Sequence, residues 1–68
     1  MTKKQEDVLK FIKKFHVEHD YPPTIGEIAE NFKVTIGTVQ GHLDRLRAQG
    51  YLTWVKGRPR TLKVRSGA

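Results

Sequence analysis

The segment from Thr35 to Gly50, TIGTVQGHLDRLRAQG, limits what this chain can become more than any other stretch. Read as a helix beginning after Thr35, it places Ile36, Val39, Leu43 and Leu46 on one apolar stripe at about 100° per residue. Such a helix must bury that stripe against other elements. The opposite face carries Gly37, Thr38, Gly41, Asp44, Arg45 and Ala48. That face is small and polar, where a merely solvated helix normally carries long glutamates and lysines. Each glycine costs a helix roughly 1 kcal/mol relative to alanine, and what it permits is close approach of the backbone. Two uses fit such a face: it reads DNA, or it packs against another helix through its glycines.

The flanks supply the elements that would bury the stripe. Thr2 to about His19 reads as an amphipathic helix, with Thr2 as N-cap and Glu6 and Asp7 near the positive helix end. Val8, Phe11, Ile12, Phe15 and His19 form its apolar stripe. Lys10, Lys13 and Lys14 face away, as a solvated face or as one or two phosphate contacts. His16 and His19 lack a third ligand at metal spacing, so a partly buried imidazole at the core edge is expected and no metal site is assigned. Pro22 and Pro23 bar helix continuation. Thr24-Ile25-Gly26-Glu27 then fits a capping box that opens a short helix to about Phe32, with Ile25, Ile28, Ala29 and Phe32 inward. The Lys33-Val34 turn joins it to the Thr35 helix as a helix-turn-helix unit.

Beyond Gly50, which reads as a helix-ending residue, the periodicity changes to two. Tyr51 to Val55 and Thr61 to Arg65 alternate like short strands, with Leu52, Trp54, Leu62 and Val64 inward. The connection from Lys56 to Arg60 contains Gly57 and makes a hairpin with a basic tip. Trp54 is assigned to the core, with stacking on a nucleobase as the alternative. The expected fold is therefore mainly α, a winged helix-turn-helix of three helices followed by a two-stranded β-hairpin wing. Residues 1–65 would form one domain and 66–68 a tail.

Sixty-eight residues support only a marginal core, and the absence of cysteine removes disulfides and thiolate metal sites as supplements. No run approaches membrane-spanning length and MTKKQED is not a signal sequence, so a cytoplasmic location is expected. The only serine is Ser66, and no paired carboxylates occur in a pocket pattern, so no catalytic residue and no cofactor is assigned. Residues 1–43 hold six lysines against six carboxylates and cancel. Residues 44–68 hold seven basic residues against Asp44 alone, so the whole +6 excess lies in the last third. That asymmetry suits a polyanion, either nucleic acid or an acidic membrane surface, unless it only aids solubility.

In helix-turn-helix geometry the second helix enters the major groove and its N-terminal residues meet the base edges. The residues so placed are Thr35, Gly37, Thr38, Gln40 and Gly41, with Arg45 a turn further along as a phosphate or guanine contact. Gln40 can pair bidentately with adenine, and threonine with several base edges or a thymine methyl. Lys56, Arg58 and Arg60 on the wing suit phosphates or the adjacent minor groove. Thr24, at a helix N-terminus, is a further phosphate candidate. His42 is read as a buried, hydrogen-bonded histidine, or else as a phosphate contact.

The segments TKKQEDVLKFI, YPPTIGEIAENF and TVQGHLDRLRAQGYL, followed by the basic hairpin, resemble the N-terminal DNA-binding domain of the LexA repressor family over about residues 2–65. PPT-x-x-EIA together with TV-x-GHL-x-x-L-x-x-x-GYL is fairly specific to it. The resemblance implies an SOS-response repressor whose recognition helix, here about 36–49, reads an operator half-site in double-stranded DNA. It also implies a separate C-terminal domain that dimerises and cleaves itself with a serine–lysine pair. Thr35, Gly37, Thr38, Gln40 and Gly41 fall on positions that face DNA in the family. Two departures stand out: the turn is one residue shorter than is typical, and Lys33 stands where such turns often have glycine. The 68 residues contain no protease domain, linker or scissile Ala-Gly. An excised N-terminal domain and a small regulator using the module alone both fit. Alternatives of another class are a winged helix that binds a protein, and one that binds RNA or an unusual duplex.

Overall fold

Every helix of this protein starts on a threonine. In the computed structural model, which describes residues 2–58 and 60–65, α1 spans Lys3–His19, α2 Ile25–Phe32 and α3 Ile36–Ala48. The tail assigned to 66–68 and position 59 of the wing connection lie outside the described residues. Thr2, Thr24 and Thr35 take the extended N-cap conformation, and each hydroxyl accepts the backbone N–H three residues on, at 3.2 Å. Glu27 returns the bond to Thr24 N–H at 2.8 Å and completes the expected capping box. The first helix has a box too, through Gln5 rather than the acidic residues beside it. That reciprocal bond is what lets the Gln5 side chain lie buried without loss.

The helix ends are equally explicit. After α3, Tyr51 N–H reaches Leu46 O and Gly50 N–H reaches Arg47 O, with Gly50 left-handed at φ 83°. After α2 the same pair of bonds recurs, Val34 N–H to Ala29 O and Lys33 N–H to Glu30 O. Here the left-handed position is filled by Lys33 at φ 57°. The departure noted in the sequence is therefore a residue with a Cβ in a conformation that favours glycine. Lys33→Gly is expected to raise stability by about 1 kcal/mol, which in a domain this small shifts Tm upward by roughly 4–8 °C. Thermal unfolding of the two proteins measures it, and an unchanged or lowered Tm would refute the assignment of strain to this turn.

Val8, Leu9, Ile12, Ile28, Ala29, Val39, Leu43, Leu46, Leu52 and Leu62 form the core, with Phe11, Phe32, Trp54 and Val64 packed around it. The expected inward residues of α2 and of the wing are thus in place. Two expectations are corrected. Ile36 lies on the α3 stripe by angle but is 59% exposed, because the first turn of α3 extends past its packing partners. His16 and His19 are both exposed rather than half-buried, though the His19 ring centroid lies 4.2 Å from that of Phe15, tilted by 37°.

The wing is an antiparallel pair, β1 (Leu52–Thr53) and β2 (Lys63–Val64), in register Leu52↔Val64 and Thr53↔Lys63. These strands are shorter than the two alternating runs because side-chain bonds replace the ladder towards the tip. Thr61 Oγ1 accepts Val55 N–H at 2.9 Å and lies 2.9 Å from Arg58 O, to which it donates. Three helices followed by a hairpin is the architecture expected from the sequence.

Candidate nucleic-acid interface

The amino-terminal end of α3 stands clear of the protein. Every residue from Lys33 to Thr38 is exposed, and burial begins at Val39 and continues at Leu43 and Leu46. One end of the helix is thus fixed in the core while the other projects. A Cβ placed on Gly41 would meet no described atom within 4 Å, and one on Gly37 only Thr35 Oγ1 at 4.0 Å. These glycines therefore do not serve helix–helix packing within the fold. Thr35 and Thr38 share a hydroxyl–hydroxyl bond of 3.0 Å, which pairs two of the candidate base-contacting groups at the exposed turn.

Gln40 is half-buried on the flank of α3 and donates through Nε2 to Asp44 Oδ1 at 2.8 Å, a spacing of four that faces the two side chains along the helix. An amide nitrogen carries two hydrogens. With one engaged by Asp44, the other and Oε1 remain as the edge that can pair with adenine. Asp44, which the sequence offered only as a face residue, thus orients Gln40.

Beside this flank runs an open cleft of about 700 Å³ between α3, the start of α2 and the wing. Gln40, Asp44 and Arg47 line it from α3, Lys56, Arg58 and Arg60 from the wing, and Gly26 from α2. Lys56 and Arg58 are exposed at the hairpin tip, where Gly57 at φ 82° makes the bend. Arg45 is exposed on α3 outside this cleft. Trp54 is half-buried, packed against the core on one side and lining the cleft on the other, and the Arg47 guanidinium covers its ring at 4.5 Å, so a base would have to displace Arg47 to stack there. Arg47 had no assigned role; its proximity to Trp54 depends on the helix-to-strand turn, which periodicity alone does not show.

Arg60 is placed differently from the other wing cations. Nη1 and Nη2 bond the two carboxylate oxygens of Glu27 at 2.9 and 3.2 Å, and Nη1 also bonds Pro22 O at 3.2 Å. The guanidinium lies 4.6 Å from the Tyr21 ring centroid. Thr24 N–H, and after it the Arg60 guanidinium, hold the Glu27 carboxyl below the usual glutamate range. Thr24 Oγ1 is occupied in the α2 cap, which leaves it little freedom for another partner.

His42 is half-buried and lines a cavity of about 130 Å³ with Lys4, Asp7, Phe32 and Thr38. Among the described residues no group of three His, Cys, Asp or Glu side chains is arranged to hold a metal. No helix among the described residues is long and apolar enough to cross a membrane.

A family model described as the LexA DNA binding domain matches residues 1–61. Among curated proteins, the LexA repressor of Caldicellulosiruptor saccharolyticus is 46% identical over 66 residues, covering 94% of this chain and 32% of its own length. The LexA repressor of Thermotoga neapolitana is 41% identical over 64 residues, with the same coverage. That of Bacillus mycoides is 38% identical over 65 residues. The chain spans about a third of the length of the curated relatives it matches.

Proposed function

The chain belongs to the LexA DNA-binding domain family, and from that premise we propose that it binds double-stranded DNA sequence-specifically as the operator-reading module of a LexA-like repressor in the cytoplasm. The observation that carries this reading is the projecting first turn of α3, exposed from Lys33 to Thr38 while the rest of the helix is fixed in the core. A helix held in this way enters a major groove without rearrangement. Thr35, Gly37, Thr38, Gln40 and Gly41 form the reading surface, with the glycines admitting the base edges closely. Lys56 and Arg58 take phosphates across the cleft from Gln40, which suits one strand of the duplex running between helix and wing, and Arg45 takes a phosphate outside that cleft. Residues 1–65 act as one unit, with dimerisation supplying the affinity that one half-site lacks.

Reading and positioning are separable by mutation. Gln40→Ala is expected to cost about 1–3 kcal/mol on the preferred site and little on other sequences. Arg58→Ala is expected to weaken all sequences about equally and to make the salt slope shallower by about 1. The preferred site comes first from selection out of a random duplex pool; binding at two salt concentrations then compares the variants. Equal effects from the two changes would sink the division of roles. Failure to enrich any motif, even from an artificially dimerised domain, would instead favour a protein-binding or RNA-binding winged helix.

A further inference from the structure

The wing carries three basic residues close in sequence, and simple electrostatics would give all three to DNA. Their surroundings differ. Lys56 and Arg58 are at the exposed tip, whereas Arg60 spends three of its N–H groups on Glu27 and Pro22 and one face on Tyr21. Each of those partners belongs to the connector or to the first turn of α2. Glu27 is itself fixed by Thr24 N–H at 2.8 Å. A continuous set of contacts therefore runs from the α2 cap, through Glu27 and Arg60, to the second arm of the wing. Thr61, the next residue, ties that arm to the first through Val55 N–H. The strand pairing itself is only two residues deep, too little to orient a hairpin alone.

We propose that Arg60 is a positioning residue and not a phosphate contact: with Glu27 and Tyr21 it forms a latch that sets the wing against the helix-turn-helix unit, so that Lys56 and Arg58 are held at the mouth of the cleft. An isolated exposed ion pair holds little, but this one is two-pronged, stacked on an aromatic ring and shared with a backbone carbonyl, which fixes direction as well as distance. The proposal rests on the DNA-binding reading for its consequence, not for its geometry.

The latch inverts the expected sign of a charge change. Glu27→Gln removes a negative charge, and plain electrostatics makes that substitution tighten DNA binding. Glutamine serves the α2 capping box as glutamate does, so the cap persists while the ion pair is lost. With the latch, Glu27→Gln weakens binding to the selected duplex by about three- to tenfold, the loss expected when the tip cations leave their places. Arg60→Lys, which keeps the charge but loses the fork and the stacking, weakens it to the same degree, and the double variant is no worse than either alone. Tighter binding by Glu27→Gln, or wild-type binding by Arg60→Lys, would overturn the proposal. Amide exchange of Val55 and Arg58, whose N–H groups bond Thr61 Oγ1 and Val55 O in the wing, tests the latch in the free domain without DNA. Faster exchange at both in Glu27→Gln is expected, and unchanged exchange refutes the latch whatever the duplex data show. A wild-type domain that binds no duplex while Glu27→Gln still speeds this exchange counts against the DNA reading alone.

Discussion

Leu43→Ala is expected to remove about 3 kcal/mol of stability, whereas Ile36→Ala on the same helical stripe should change it by no more than about 0.5 kcal/mol. Leu43 has no exposed surface and lies among residues of all three helices and the wing. Truncation there loses the transfer free energy of three carbons and leaves a cavity that a small, tightly interlocked core cannot close. A domain of this size has a total stability on the order of 3–10 kcal/mol. The loss would therefore lower Tm by roughly 12–24 °C and leave a large unfolded fraction at physiological temperature. Ile36 is 59% exposed and gives up little on truncation. Thermal unfolding of both variants, followed by helical circular dichroism, makes the comparison. Equal losses would mean that the first turn of α3 is packed rather than projecting, and the reading surface assigned to it would fall with that result.

The same pair of residues shows where the sequence was informative and where it stopped. Periodicity placed Ile36, Val39, Leu43 and Leu46 on one stripe, and three of the four are buried. A stripe is a statement about angle only. Where along its axis a helix leaves its neighbours depends on how far α1 and α2 extend beside it, and that is a tertiary quantity. The threonine caps, the glycine after α3 and the inward parity of the wing were legible because each has a local cause, such as a hydroxyl three residues from an N–H or a period of two. Gln5 escaped notice because the acidic residues following it fit the helix dipole equally well, and only the reciprocal bond to Thr2 separates these roles.

The proposed site was legible in composition, but the different surroundings of its cations were not. Counting charge picks out the basic third of the chain, and a count treats Lys56, Arg58 and Arg60 alike. Glu27 lies 33 residues from Arg60 in sequence, and nothing in a helix or hairpin pattern brings them together. The Gln40–Asp44 bond, by contrast, had a visible signal in its spacing of four. On the proposed reading it matters for function, because an amide that is already oriented loses less freedom on binding a base.

A tandem fusion of two copies is expected to bind a palindromic site about a thousandfold more tightly than a single copy binds its half-site. The domain measures 25 × 24 × 23 Å, less than one turn of B-DNA at about 34 Å, so one copy can reach a few base pairs of one groove face and a handful of phosphates. That contact area suits a dissociation constant on the order of 1 μM at moderate salt. A flexible linker just long enough to join two adjacent half-sites sets an effective concentration near 1 mM for the second copy. The ratio of those two numbers is the predicted gain, and no new protein–DNA contact contributes to it. Its dependence on geometry is the discriminating part. Half-sites about 10 base pairs apart place both α3 helices on one face of the duplex. Inserting about 5 further base pairs turns the second half-site to the far side, and a short linker then cannot span it. The gain should collapse towards that of a single copy, and Gln40→Ala in one copy should abolish most of it as well. A fusion whose affinity ignores half-site spacing would show that the basic surface binds DNA by charge alone, with α3 outside the groove.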